Sequence, residues 1–451
     1  MKHLSLSLTL FLLTFNSYSQ CYQSISAGGT FTEGIKSDGT LWAWGRNFSG
    51  QLGDGTLVNK STPTQIGTGT NWKTVAAGPF HTLAIKTDGT LWAWGSNQNA
   101  QLGDGTTVNK TAPIQIGTAS NWSKVFTGWT SSAGIKTDGT LWAWGPGLLV
   151  GLGTPNSSMT PVQVSASTDW LTLSIGIYHV IALKTNGTLW AWGGNDNGEL
   201  GIGTTNSQDT PIQIGSATNW QKIATGSSNS LAIKNDGTLW AWGSNSTGQL
   251  GDGTLIDKNS PIQIGTATDW QKIVAQDTHT FAIKNNGTLY AWGYNYYGQL
   301  GDGTTTDRNA PTQIGTENNW QNITTGESHA FGYKTDNTYK NWGLNGYGQL
   351  GNGTTNPLIV TSPIATSFNN CTLSVLQFNN AVKTYLYPNP SFSDINISGI
   401  ESITNYKIIN SFGQIVQSGS TLADSKIEIK NLSKGIYYLV TNQQTFKFIK
   451  E

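Results

Sequence analysis

The stretch HTLAIKTDGTLWAWGSNQNAQLGDGT, residues 81–106, decides the fold, because close variants of it recur along the chain. Its central pentapeptide LWAWG, or a variant of it, stands at Leu41–Gly45, Leu91–Gly95, Leu141–Gly145, Leu189–Gly193, Leu239–Gly243, Leu289–Gly293 and Tyr339–Gly343. Successive copies are 50 residues apart, except for one interval of 48. Seven copies at such a period indicate a solenoid, an array or a closed propeller.

Each copy contains four predicted strands, which we label A to D. In the second copy they are Trp72–Gly78, His81–Lys86, Leu91–Gly95 and Ala112–Gly117. Four strands per 50 residues are typical of one propeller blade. The two-residue turn between strands B and C needs a positive φ, which favours Asp-Gly or Asn-Gly. Six copies have glycine there and the seventh has Asn337. The sequence therefore predicts an all-β fold with a seven-bladed β-propeller.

The composition excludes several classes of function. The chain has 25 basic and 25 acidic residues, no formal net charge and only 11% charged residues. A nucleic-acid-binding protein needs clustered lysine and arginine to displace counterions, so no nucleic-acid partner is expected. Of the 19 tryptophans, all but Trp129 stand at repeat positions. They are predicted to form the scaffold, and a sugar-stacking ladder is the alternative.

The N-terminus has the features of a signal peptide over residues 1–19. Lys2 and His3 precede the apolar run 4–15, and Ser17 and Ser19 supply the small residues before a cleavage site. A lipoprotein anchored at Cys21 is the alternative. No later segment approaches the length of a transmembrane helix. We expect an exported protein without a transmembrane segment, located outside the cell or at the outer-membrane surface.

The stretch AAGPFHTLAIKTDGTLWAWGSNQNAQLGDGT resembles the regulator-of-chromosome-condensation repeat. That repeat combines a Gly-x-x-His loop, an Asp-Gly turn, a Trp-Gly pair and an N-x-x-G-Q-L-G segment. Kelch repeats have a similar length, but their Gly-Gly pair ahead of spaced Tyr and Trp is missing here. The resemblance covers Cys21 to about Cys371 and implies a closed propeller of seven blades, which we place at residues 20–371.

The two cysteines stand at the joint of this ring. Cys21 precedes the first strand A, and Cys371 occupies nearly the same repeat position after the seventh blade. In an exported protein, such neighbours favour a disulfide bond that ties the first blade to the last.

A second domain is predicted after a linker at residues 372–385. Short alternating strands over residues 386–451 indicate a small β-sandwich. The segments LYPNPSFSDINI, INSFGQIV and LSKGIYYLVTNQQTFKFIK resemble the C-terminal sorting domain of type IX secretion cargo in Bacteroidetes. The resemblance implies the type IX machinery as a partner, followed by release or surface attachment. A further binding domain is the alternative.

The sequence offers no set of catalytic residues. Four repeats carry a histidine at one position, namely His81, His179, His279 and His329, and a loop-bracing hydrogen bond is predicted for each. The GDGT turns supply one carboxylate, whereas a calcium loop supplies several oxygens. A lysine precedes every B–C turn, and a ring of solvated lysines is favoured over an anion site. We therefore expect no enzyme activity, no catalytic or metal-binding residue and no cofactor.

Candidate binding residues lie where the repeat varies. In an up-and-down meander, the A–B and C–D loops emerge on one face of the propeller. Blade 3 replaces SNQNAQLGDGT with the shorter PGLLVGLGT, which should expose three apolar side chains. With the non-repeated aromatics they could form one patch, although local packing is the alternative. The candidates are Phe80, Trp129, Leu148, Leu149, Val150, Tyr178, Tyr294, Tyr296, Tyr297 and Tyr347.

The predicted function is that of an exported, monomeric, non-enzymatic propeller that binds a protein or glycan partner through this face. The family that the sequence resembles also includes secreted bacterial propellers that bind and inhibit proteins. A hydrolase with acids at the propeller mouth and a structural surface-layer role are the alternatives. Nucleotide exchange, the activity of the family's namesake, fits poorly because the chain is exported and no wedge-like insertion interrupts the blades.

Overall fold

The computed structural model describes residues 21–153, 157–366, 385–398, 404–411, 413–421, 425–441 and 445–451. The predicted signal peptide, Cys371 and nearly all of the predicted linker lie outside these residues, so the Cys21–Cys371 disulfide stays a prediction. The chain divides into two compact units, Met1–Thr372 and Leu373–Glu451.

Seven antiparallel four-stranded sheets make up the first unit, and each is built from one contiguous stretch of chain. One short helix, α1 (Gly147–Val150), lies in the third blade. In order from blade 1 to blade 7, the strands are β1 Tyr22–Ala27, β2 Phe31–Lys36, β3 Leu41–Gly45, β4 Lys60–Gln65; β5 Trp72–Ala77, β6 His81–Lys86, β7 Leu91–Gly95, β8 Lys110–Gln115; β9 Trp122–Thr127, β10 Ser132–Lys136, β11 Leu141–Gly145, β12 Ser158–Gln163; β13 Trp170–Ile175, β14 His179–Lys184, β15 Leu189–Gly193, β16 Gln208–Gln213; β17 Trp220–Thr225, β18 Asn229–Lys234, β19 Leu239–Gly243, β20 Lys258–Gln263; β21 Trp270–Gln276, β22 His279–Lys284, β23 Leu289–Gly293, β24 Arg308–Gln313; β25 Trp320–Thr325, β26 His329–Lys334, β27 Tyr339–Leu344 and β28 Ile359–Ala365.

The seven-bladed propeller predicted from the repeats is confirmed, and so are strands B and C of the second copy. Strand D of that copy begins two residues earlier than predicted, at Lys110 instead of Ala112. The pairing of β7 with β8 contains a register shift, since Ala93 faces Ile114 whereas Gly95 faces Lys110. The extra residues form a bulge that continues the strand toward the C–D loop.

The ring closes through the same kind of contact that joins every other pair of blades. Each strand A lies against strand A of the next blade, and β25 lies against β1 in the same way. Strand A is therefore the innermost strand of each blade. At the closure, the indole Nε1 of Trp44 donates to the backbone carbonyl of Gln349 at 2.9 Å, and Thr32 Oγ1 hydrogen-bonds with His329 Nε2 at 3.0 Å.

The second tryptophan of LWAWG joins neighbouring blades. Trp94 is fully buried, and its Nε1 donates to the Gln51 carbonyl of the preceding blade at 3.0 Å. A buried tryptophan removes about 150–250 Å² from water, worth roughly 4–6 kcal/mol. Gly53 packs so closely against this indole that a Cβ at position 53 would lie only 2.8 Å from Trp94 Nε1. Its φ of +74° also favours glycine. The spacing of Gln, Gly and Trp in the repeat thus follows from one contact between blades.

The first tryptophan of LWAWG belongs to the hairpin turn. Thr90 Oγ1 donates to Asp88 at 2.7 Å and accepts from Trp92 Nε1 at 2.9 Å. Gly89 has the positive φ that the turn requires, and so does Asn337 at the corresponding position of blade 7. Lys86 Nζ lies 3.8 Å from the centroid of the Trp92 ring, a cation–π contact. The prediction that the lysines before the B–C turns are solvated is wrong, because their side chains are buried or half-buried against aromatic residues.

The second unit is a small β-sandwich, as predicted. Its strands are β29 Tyr385–Tyr387, β30 Asp394–Ser398, β31 Thr404–Asn410, β32 Ile415–Thr421, β33 Lys426–Glu428, β34 Gly435–Thr441 and β35 Thr445–Lys450. They form sheets of order β29-β30-β33 and β32-β31-β34-β35. Ile395 and Ile427 from the first sheet pack with Ile408, Leu439 and Phe448 from the second.

Candidate functional site

The A–B and C–D loops form one face of the propeller, which we call the loop face. Within blade 2, Ser96 N–H of the C–D loop donates to Phe80 O of the A–B loop at 2.9 Å. Neighbouring A–B loops are also hydrogen-bonded, for example from Glu327 N–H to Gly29 O at 3.1 Å. Since strand A is innermost, the residues one position after Gly28 and its equivalents, of which Gln276 is the one in blade 6, surround the central axis. We call them the axial positions, which are Gly29, Pro79, Trp129, Ile177, Ser227, Asp277 and Glu327.

In every blade except the third, the C–D loop contains a buried asparagine that holds it. Asn97 is fully buried, and its Nδ2 donates to Asp104 Oδ1 at 2.9 Å and to the carbonyl of Thr106 at 3.0 Å. Its Oδ1 accepts from Leu102 N–H at 2.9 Å. Asp104 also forms an ion pair with Lys110 at 3.0 Å. The carboxylate of this GDGT turn therefore serves the loop itself.

The four repeated histidines connect blades beneath the loop face. The Nε2 atoms of His81, His179 and His329 hydrogen-bond with Ser132, Ser230 and Thr32 of the following blade at 2.8–3.0 Å. His279 Nε2 likewise hydrogen-bonds with Thr325 Oγ1 of the following blade, at 2.6 Å. Burial lowers the pKa of each histidine to about 3. They are neutral at physiological pH. The predicted loop-bracing hydrogen bond is wrong, because each side chain bonds to the following blade and its Nδ1 has no partner among the described residues.

The apolar loop of blade 3 is not the exposed patch that was predicted. Leu149 is 4% exposed and Val150 is fully buried, while Leu148 is half-buried. All three lie in α1, where the Leu149 carbonyl accepts from Trp192 Nε1 at 3.0 Å. For the other tryptophans at this position the acceptor is a glutamine carbonyl, or the Glu199 carbonyl in the case of Trp242. The shortened loop therefore rebuilds the scaffold contact with apolar residues, and its leucine and valine enter the core instead of facing solvent.

Three predicted residues come together with two that were missed. We call this group the aromatic cluster: Arg46, Phe48, Phe80, Trp129 and Tyr347. The rings of Phe80 and Trp129 meet edge to face at 5.7 Å, and those of Phe48 and Tyr347 at 5.9 Å. The Arg46 guanidinium joins the two pairs, because its Cζ lies 5.2–5.9 Å from the ring centroids of Phe48, Phe80 and Tyr347. The cluster spans blades 7, 1, 2 and 3.

The other predicted tyrosines lie apart from this cluster. Tyr294, Tyr296 and Tyr297 of blade 6 contact one another at centroid distances of 5.1–6.5 Å. Tyr178 of blade 4 and Tyr296 are each 62% exposed. Among the described residues, no ring contact joins these tyrosines to the aromatic cluster. The single patch expected from the sequence is thus divided.

Two acidic residues at adjacent axial positions were also missed. Asp277 Oδ1 accepts from Ser227 Oγ at 2.7 Å, and burial raises the pKa of Asp277. Burial also raises the pKa of Glu327 to about 7, with Asp277 adding to the rise and Arg46 opposing it. The signal was present in the sequence, since Asp277 and Glu327 are the two charged residues among the seven axial positions.

Neither a metal centre nor a membrane span is found in the part of the chain that the structure describes. No group of three His, Cys, Asp or Glu side chains there converges to hold a metal ion. No helix in that part is long and apolar enough to cross a membrane.

Family models match both units. The RCC1-like domain matches residues 151–384, more than half of the chain. Regulator of chromosome condensation repeats match residues 38–85 and 88–135, and a second model of the repeat matches residues 22–51 and 72–101. The secretion system C-terminal sorting domain matches residues 385–451.

Solved structures agree in fold at low sequence identity. Human WBSCR16 has a TM-score of 0.66 at 21% identity, over 73% of this chain and 94% of its own. Prp20p from Saccharomyces cerevisiae, described with its binding to Gsp1p and histones, has a TM-score of 0.65 at 20% identity, over 78% and 88%. No curated protein matches the sequence. The repeats, the closed ring of seven blades and the family matches lead to one conclusion: the chain belongs to the regulator of chromosome condensation family of β-propellers and carries a type IX C-terminal sorting domain.

Proposed function

We propose that this protein is an exported, non-enzymatic propeller that binds a protein or glycan partner through the loop face. The sorting domain indicates delivery by type IX secretion to the cell surface or the medium. The expected signal peptide and Cys21–Cys371 disulfide fit this route. After export, the protein would be either released into the medium or attached to the cell surface.

The aromatic cluster is the observation that supports binding. Phe48 is 56% exposed, and Phe80, Trp129 and Tyr347 are half-buried around an arginine. Aromatic and arginine side chains are enriched among the residues that contribute most to binding at protein interfaces. A contiguous group of this kind on the surface of an exported protein favours a partner. Partner binding would leave the propeller core unchanged, since the cluster lies on loops.

The test is capture of envelope proteins and glycans on the immobilised full-length protein. The double variant Phe80→Ala/Trp129→Ala should lose the captured partner, because it removes one edge-to-face pair. Ile212→Ala is the matched control, as Ile212 is an exposed apolar residue on outer strand β16. Thermal unfolding of both variants would verify the fold. Equal capture by the double variant and the wild type would refute the proposal.

Asp277 and Glu327 favour one second candidate, a hydrolase with its site at the propeller mouth. Hydrolysis by two carboxyl groups needs one protonated and one ionised partner, with pKa values shifted apart. Here burial raises the pKa of both groups, and that of Glu327 to about 7. Turnover of a chromogenic glycoside that disappears in Asp277→Asn and Glu327→Gln would establish the hydrolase instead.

A further inference from the structure

The axial positions divide the mouth of the propeller into two chemically different halves. Pro79, Trp129 and Ile177 of blades 2 to 4 are apolar. Ser227 of blade 5 precedes Asp277 and Glu327 of blades 6 and 7, which are acidic. A ligand at the mouth would therefore meet an apolar wall on one side and carboxyl groups on the other.

The acidic half is not neutralised within the propeller. Asp277 accepts one neutral hydrogen bond, from the Ser227 hydroxyl. Oε1 of Glu327 is buried and has no hydrogen-bond partner among the described residues. This carboxyl group extends over blade 1, since a Cβ on Gly29 would lie 3.0 Å from Oε1. A buried acceptor without a partner costs free energy.

Arg46 stands between the two halves and does not satisfy these groups. Its guanidinium lies over Phe48, Phe80 and Tyr347, and its Nε has no hydrogen-bond partner among the described residues. The mouth thus presents two carboxyl groups against one guanidinium. The charge of the mouth is complementary to a cation. The rings of Phe80 and Trp129 form an apolar surface in the other half of the mouth, against which an apolar group could pack.

We propose that the mouth binds a protein segment that presents a lysine or arginine next to an apolar side chain. The cationic group would lie between Asp277 and Glu327, and the apolar group would lie against Phe80 and Trp129. This inference rests on the proposed function and names the class of partner. It makes the two acids the specificity-determining residues of the loop face.

A pH dependence follows from this arrangement. The groups that face Glu327 are Asp277 from blade 6 and Arg46 from blade 1. Only ionised Glu327 attracts a cation strongly, and its pKa is raised to about 7. Binding should therefore strengthen as the pH rises through 7, with release of a proton, and this dependence should be absent from Glu327→Gln.

The test uses the full-length protein and an acetylated peptide of alternating leucine and lysine, measured by isothermal titration calorimetry. The comparison peptide has the same sequence with every lysine ε-acetylated. The variants are Asp277→Asn, Glu327→Gln and their combination, which keep the side-chain size. Asp196→Asn is the matched control, since Asp196 is an exposed acid on the C–D loop of blade 4 and its replacement changes the net charge equally. Unfolding temperatures verify that each variant folds.

We expect the lysine peptide to bind at least about tenfold more tightly than the acetylated peptide, with that preference lost in the double variant and kept in Asp196→Asn. The inference is overturned if the double variant binds like the wild type, if Asp196→Asn weakens binding equally, or if both peptides bind alike. Failure of the proposed function is distinguishable. A natural partner captured through Phe80 and Trp129 but unaffected by the acid variants, or a glycan partner, would leave the proposed function intact and refute this inference alone.

Discussion

The replacement Glu33→Leu should stabilise the protein, and more at neutral than at acidic pH. Glu33 is fully buried between blades 1 and 2, where its Oε1 accepts from Thr82 Oγ1 at 3.0 Å and from Trp94 Nε1 at 3.2 Å. Its Oε2 has no partner among the described residues. Burial raises the pKa of this carboxyl well above 4.5, and the two hydrogen bonds oppose the rise only in part.

The sign of the effect follows from proton binding. The folded protein keeps the Glu33 proton at pH values where the unfolded chain has lost it, so stability falls as the pH rises above about 4.5. Each pH unit between the unfolded and the folded pKa of this carboxyl lowers the free energy of unfolding by about 1.4 kcal/mol. Leucine cannot ionise, so the variant avoids this loss.

Leucine also fits the surroundings of this site. Leu83 and Leu231 stand at the same position in blades 2 and 5. Thr82 and Trp94 would keep a partner without Glu33, because each also donates to the Gln51 carbonyl, at 3.3 and 3.0 Å. No donor is left unsatisfied by the change, so the hydrogen-bond cost should be small.

The assay is urea unfolding of wild type and Glu33→Leu at several pH values between about 4.5 and 7. Taking the difference between the two proteins at each pH cancels the other titrating groups. The stabilisation should grow as the pH rises, with a slope that approaches about 1.4 kcal/mol per pH unit. If the difference in free energy of unfolding stays constant with pH, or shrinks as the pH rises, the inference that Glu33 is buried in its neutral form is refuted.

Three further changes test the scaffold. Leu149→Asp should destabilise the fold by about 3–5 kcal/mol in urea unfolding, because it places a charge in the core, whereas an exposed loop residue would tolerate it. His329→Asn should cost about 1–3 kcal/mol by removing the bond to Thr32 across the ring closure, and an unchanged unfolding midpoint would contradict that role. Gly53→Ala should lower the unfolding temperature more than Gly67→Ala, since both have a positive φ but only Gly53 packs against the indole of the next blade. Equal effects of the two alanines would show that backbone strain alone matters.

The repeat itself was sufficient to predict the propeller. Glycine in the B–C turn reflects a local backbone requirement, and Asn337 at a φ of +64° meets the same requirement in the most divergent blade. Strands B and C follow from alternation over a few residues, so their bounds could be read directly. Strand D was predicted two residues too late, because the bulge that sets its position depends on pairing with strand C.

Properties that depend on partners from other blades could not be read from the sequence. The apolar run at Leu148 to Val150 looked like a surface patch, because nothing local shows that the indole of Trp192 needs a carbonyl there. Arg46 belongs to the aromatic cluster only because Tyr347, at the far end of the propeller sequence, lies beside it once the ring closes. Glu327 likewise meets Gly29 across the same closure. Sequence by itself determined the repeat, its turns and the number of blades, because these are local and periodic. Tertiary structure alone decided which loop residues face solvent and which charges share the mouth, because those neighbours are brought together only by closing the ring.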